Sequence, residues 1–64
     1  MAYNDRMKEA RRLKGLTQAE LGELVGCAKN TISGYENCVN DPSMTILSKI
    51  MDALGVDANF IFQD

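Results

Sequence analysis

The side chains best suited to specific chemistry gather in one short stretch. Between positions 18 and 37 stand Gln18, Lys29, Asn30, Thr31, Ser33 and Asn37, all hydrogen-bonding residues, with Gly34 among them. Lys29 can donate to guanine O6 and N7, and Asn30 can pair bidentately with the N6 and N7 edge of adenine. Ser33 can meet a base or a phosphate. Catalytic chemistry has much less to work with. The 64 residues include no His, which removes the usual general base near neutral pH and the commonest metal ligand. Cys27 and Cys38 lie eleven positions apart, with no Cys-x-x-Cys pair and no His to complete a zinc site. These residues point away from an enzyme, a metal centre or a cofactor, and toward a binding module.

The rest of the chain must position that stretch with little material. A domain this small buries only about 60 % of the surface its unfolded chain exposes, so its core must be simple. The composition, 45 % apolar and 6 % aromatic with no Trp and a single Pro, suits a small helical domain rather than a disordered tail or a β-sandwich. Apolar runs stop at three residues, as at Phe60-Ile61-Phe62, far short of the ~20 that a spanning helix needs. The opening Met1-Ala2-Tyr3-Asn4-Asp5 lacks the apolar stretch of a signal peptide. The expectation is a cytoplasmic protein with two reduced thiols and no membrane partner.

A net charge of −2 and a pI near 4.9 argue on their face against a nucleic-acid partner. The halves differ, however. Residues 1–32 carry Arg6, Lys8, Arg11, Arg12, Lys14 and Lys29 against four acids, while residues 33–64 carry Lys49 against five. The acidic total therefore averages a basic first helix, expected on the binding side, with an acidic fourth and fifth helix expected on the far side.

Helical periodicity and its punctuation predict an all-α domain over 1–64, with helices at about 5–14, 18–25, 28–36, 44–54 and 58–62. Asn4 would cap the first, whose Met7, Ala10 and Leu13 share a face. Thr17-Gln18-Ala19-Glu20 reads as a capping box. The second helix would bury Leu21, Leu24 and Val25, and the third Ile32 and Tyr35. Ser43 would cap a fourth helix with Met44, Leu47, Ile50, Met51 and Leu54 at helical spacing. Asp57 would cap the last turn, flanked by Val56 and Ile61 at the positions of a hydrophobic staple. Gly15, Gly26 and Gly55 stand where helices should end.

The second and third helices are joined by a very short turn. Gly22 leaves room for the following helix to approach, and Gly26 supplies the turn. This is a helix-turn-helix arrangement. Stepping about 100° per residue from a buried Ile32 turns Tyr35 and Glu36 inward. Asn30, Gly34 and Asn37 then point nearly opposite, with Ser33 and Lys29 on the flank, so the outward face reads Lys29, Asn30, Ser33, Gly34 and Asn37.

Arg11, Gly15-Leu16-Thr17-Gln18-Ala19-Glu20-Leu21, Val25-Gly26, Thr31-Ile32-Ser33, Tyr35-Glu36-Asn37, Pro42-Ser43, Leu47, Ile50 and Ala53-Leu54-Gly55-Val56 together resemble the Cro/cI-like (XRE-type) family. That family comprises the DNA-binding domains of lambdoid phage repressors and many bacterial regulators. The likeness runs from about Arg6 to Phe62. It implies a five-helix, lambda-repressor-like domain that binds double-stranded operator DNA as a homodimer, with the third helix in the major groove. It also implies base contacts from Lys29, Asn30, Ser33 and Gly34, and phosphate contacts from Gln18, Thr31 and Asn37. Arg11 and Glu36 match an internal ion pair of the family, which would leave Arg11 close to the DNA backbone. Arg12 and Lys14 would add attraction to phosphate, or simply complement a helix end.

Three positions depart from the family pattern. Ala28 stands where a Ser or Thr cap is usual, Cys38 replaces a glycine, and Val39-Asn40-Asp41 carries no cation against phosphate. Two functions follow from the resemblance: a repressor-type transcriptional regulator, or a protein-interaction module on the same fold, such as an antitoxin or a regulator's docking domain, with weak or no DNA binding. Phe60-Ile61-Phe62 could form a dimer surface or close the core. A further C-terminal domain is expected if the chain is part of a longer repressor.

Overall fold

Local capping chemistry sets most of the helix boundaries in the computed structural model, which describes residues 3–62. Its elements are α1 (Tyr3–Leu13), α2 (Gln18–Val25), α3 (Lys29–Glu36), α4 (Met44–Leu54) and α5 (Ala58–Ile61), with no strand among the described residues. Thr17 Oγ1 accepts from the Glu20 amide at 3.0 Å while Glu20 Oε1 accepts from the Thr17 amide at 2.8 Å, completing the capping box of α2. Ser43 caps α4 and Asp57 caps α5 in the same way, accepting from the amides of Ile46 and Phe60. The left-handed turn that ends α2 falls on Gly26 at φ +79°, a conformation that costs other residues about 1–2 kcal/mol.

Each helix contributes one fully buried large side chain to a common core: Met7, Leu21, Ile32, Ile50 and Ile61, in chain order. Ala10, Val25, Tyr35, Leu47 and Leu54 complete it. Helix α2 packs against α3 and α4, and α1 packs against α3 and α5. Helix α3 is thus braced from two sides, by α2 and by α1.

Several sequence expectations are corrected here. Asn4 does not cap α1. It lies inside the helix, buried, and its Nδ2 donates to the Tyr35 carbonyl. Leu13 is 76 % exposed, because it lies about 120° around the helix from Met7, off the face that Asn4, Met7 and Arg11 define. Leu24 is exposed as well. The buried face of α2 is centred between Leu21, Gly22 and Val25, and burial of the glycine turns that face away from Leu24. Met44 is also exposed. It opens α4, where Cα–Cβ bonds tilt past the helix end. Of the apolar C-terminal trio, Ile61 is fully buried and Phe60 packs on the core, so only Phe62 presents an exposed face, with its ring centroid 6.2 Å from that of Tyr3.

Candidate nucleic-acid interface

The α2–α3 unit depends on a missing side chain. A Cβ at position 22 would overlap the Cys27 carbonyl oxygen, so only glycine lets the turn fold back so closely. The Cys27 amide then donates to the Gly22 carbonyl at 2.8 Å. Cys27 stays half-buried in this turn, beside Tyr35. Burial pushes the Tyr35 phenol above its usual pKa, and the neighbouring Cys27 adds to that shift. Both cysteines are free thiols.

Helix α3 is oriented by a buried polar network centred on Glu36, whose side chain is fully buried. Arg11 Nε donates to Glu36 Oε2 at 2.6 Å and Arg11 Nη2 to Glu36 Oε1 at 3.0 Å, a two-point ion pair between α1 and α3. Gln18 Nε2 adds a third donor from α2, at 3.1 Å from Oε1. Arg11 Nη1 meets the Leu16 carbonyl at 2.8 Å. With Asn4 on the Tyr35 carbonyl, two polar side chains of α1 hold the C-terminal half of α3.

These bonds constrain the roles expected of the same residues. Arg11 is buried and every guanidinium nitrogen is engaged, so its place is chiefly that of a clamp. The Gln18 amide nitrogen is directed inward to Glu36. The start of α2 still offers the backbone amides of Gln18 and Ala19, which a helix cannot pair internally. Thr17, Gln18 and Ala19 line a shallow cleft together with Arg11 and Lys29, which places a cation beside the N-terminus of a helix.

On α3, Lys29 and Asn30 are exposed, and Thr31 and Ser33 are half-buried. Asn37 is exposed just past the helix and donates from Nδ2 to Ser33 Oγ at 3.1 Å. Gly34 is the exception and a correction. Although it points away from Ile32, it is buried, because the Asn40 side chain lies directly over it. Cys38, at φ +62°, makes the reversal that returns the chain, and the amides of Val39 and Asn40 both bond the Gly34 carbonyl. Ala28 begins α3 with no side-chain cap.

The expected basic side is also redistributed. Arg6 lies over the Phe60 ring, 5.4 Å from its centroid, and pairs with Glu9 at 3.5 Å. Arg12 stands with Asp5, Lys8 and Glu9 around a shallow hollow on α1. Lys14 Nζ approaches the Gly55 turn that closes α4, where the negative end of that helix dipole favours a cation. Neither Arg12 nor Lys14 lines the cleft at α2, so Lys29 is its exposed cation. The first helix is basic in sequence, but its charges are spread over several faces. Among the described residues no cluster of His, Cys, Asp or Glu could hold a metal, and no helix is long and apolar enough to cross a membrane.

Asn4, which holds the Tyr35 carbonyl, and Asn40, which covers Gly34, have places on α3 that sequence reading missed. Asn4 carried a usable signal, since it sits three residues before Met7 on the buried stripe of α1. Asn40 carried none, because its position depends on how the loop folds back.

Five helices with a glycine-bared turn between α2 and α3, and an α3 clamped from α1, define a helix-turn-helix domain. The chain belongs to the XRE-type helix-turn-helix family of transcriptional regulators, and the family model described as helix-turn-helix matches residues 7–61. It is 33 % identical over 61 residues to the HTH-type transcriptional regulator ImmR of Bacillus subtilis (strain 168), covering 95 % of this chain and 48 % of that protein. Antitoxin HipB of Escherichia coli O6:H1 is 40 % identical over 48 residues, covering 75 % of this chain and 51 % of the antitoxin. The chain thus spans about half the length of these two curated relatives. Among solved structures, the P22 c2 repressor in complex with a synthetic operator superposes with a TM-score of 0.90 at 24 % identity, covering 98 % of this chain and 96 % of that one. The restriction-modification controller protein C.AhdI from Aeromonas hydrophila superposes with a TM-score of 0.87 at 28 % identity, covering 94 % and 91 %.

Proposed function

We propose that this chain is a sequence-specific, repressor-type DNA-binding regulator acting in the cytoplasm as a homodimer on a pseudo-palindromic operator. The carrying observation is the Glu36 network, which fixes α3 against α1 and α2 while leaving Lys29 and Asn30 exposed. In this reading Lys29 and Asn30 contact base edges, and Ser33 meets a base or phosphate. The Gln18 and Ala19 amides, Thr31 and Asn37 position the domain on phosphates. Symmetric half-sites would lie about 34–36 Å apart on one face of the duplex.

Titration against operators selected from random DNA, at two salt concentrations, tests this. Replacing Lys29 and Asn30 together by Ala should abolish sequence preference and leave the fold intact. Absence of binding by the unmodified chain at low salt, where electrostatic attraction is greatest, would reject the proposal. The similarity to antitoxin HipB and the cation-free loop at Val39-Asn40-Asp41 favour a second reading, a protein-docking module with weak or no DNA binding. That reading predicts a stable complex with a partner protein and no selected operator.

A further inference from the structure

We propose that Asn40 is a specificity-determining residue of the α3 surface, supplying from the following loop the side chain that Gly34 lacks. This rests on the DNA-reading function proposed above and extends it to a residue outside α3. Position 34 lies one turn from both Asn30 and Asn37, in the middle of the outward strip, yet it has no side chain. The space is filled. Asn40 Nδ2 lies 2.7 Å, Cγ 3.6 Å and Cβ 3.9 Å from where a Cβ of residue 34 would stand, and no other residue comes as close.

The placement is held by backbone, not by the side chain itself. The reversal at Cys38 and the bonds from the Val39 and Asn40 amides to the Gly34 carbonyl, at 2.9 and 3.2 Å, bring residue 40 back onto α3. Asn40 remains exposed to solvent. A primary amide carries a donor and an acceptor side by side, the pair that matches adenine N6 and N7 in the major groove. The same geometry accounts for the glycine. Any side chain at 34 would have to displace Asn40, which explains a helix-weakening residue in the middle of α3.

The experiment compares the unmodified chain with Asn40→Ala and Gly34→Ala, each titrated against a selected operator and its single-base-pair variants, with thermal unfolding in parallel. Asn40→Ala should lose discrimination at one A·T pair per half-site by roughly tenfold, leaving other positions unchanged. Gly34→Ala, which adds one methyl group where Asn40 sits, should lose discrimination at that same pair. If Gly34→Ala fails to fold, Asn40→Ala alone decides. Unchanged discrimination at every position in Asn40→Ala overturns the proposal. So does equal weakening on all sequences, which would make Asn40 a phosphate contact. If the unmodified chain selects no operator, the proposed function itself fails, an outcome distinct from these two.

Discussion

Helices α2 and α3 are equal in length at eight residues, and they begin in opposite ways. The first turn of α2 is closed by a reciprocal pair of side-chain bonds from Thr17 and Glu20, written locally within four consecutive residues. The first turn of α3 follows Ala28, which offers no oxygen at all. What α3 lacks in local signals it gains at its far end, where Arg11, Gln18 and Asn4 converge on Glu36 and the Tyr35 carbonyl. One helix is therefore specified mainly by its own sequence, and the other by its neighbours. The N-terminal turn of α3 is therefore left uncapped with Lys29 exposed beside it, while the C-terminal half is clamped.

The comparison can be broken most severely at Glu36. Glu36→Ala leaves the buried Arg11 guanidinium with the Leu16 carbonyl alone, and loss of one partner of such a pair costs about 3–5 kcal/mol. For a domain this small that means extensive unfolding near room temperature, measured by urea or thermal denaturation. A full-length stability curve resembling the parent would refute the clamp. Gly22→Ala should come next, at about 1–3 kcal/mol, since the added methyl group must push the Cys27 carbonyl away and prise the two helices apart. Its lesion is steric, so the loss should be similar in high and low salt.

The two caps give the finer contrast. Thr17→Ala removes half of the capping box and should cost about 1 kcal/mol. Ala28→Ser supplies the missing oxygen and should stabilise the fold, by somewhat less than that amount. If the serine instead left stability unchanged, the uncapped start of α3 would already be satisfied by other means. A further consequence concerns salt. With Lys29 as the exposed cation of the cleft, the slope of log affinity against log salt should be shallow, about 0.9 per phosphate neutralised. A steep slope measured by anisotropy would require Arg12 or Lys14 to reach the DNA.

Periodicity and caps made the five helices legible, because these signals are local: an oxygen at Thr17, Ser43 or Asp57, and a glycine at Gly26 or Gly55. The same reasoning misjudged Leu13, Leu24 and Met44. A face inferred from apolar residues alone counts neither a buried glycine such as Gly22 nor buried polar groups such as Asn4 and Arg11. The candidate site divides along the same line. Asn30 was readable as an outward residue from the helical angle to Ile32, with Lys29 on the flank of that face. The covering of Gly34 was not, because it depends on a loop that closes through Cys38 onto the helix it has just left.

Net charge behaves similarly. Counting along the chain shows a basic first half, but one helix sends successive side chains in directions about 100° apart. Arg6, Arg11, Arg12 and Lys14 accordingly end at an aromatic ring, a buried carboxylate, the outer face of α1 and the end of α4. By itself the sequence determined the all-α class, the caps of α2, α4 and α5, the close approach at Gly22 and the outward direction of Asn30, all set within a few residues along the chain. Only the tertiary structure decided which cations remain free, that Gln18 joins Arg11 on Glu36 and what covers Gly34. Those outcomes depend on groups distant in sequence meeting in space, which no local spacing can encode.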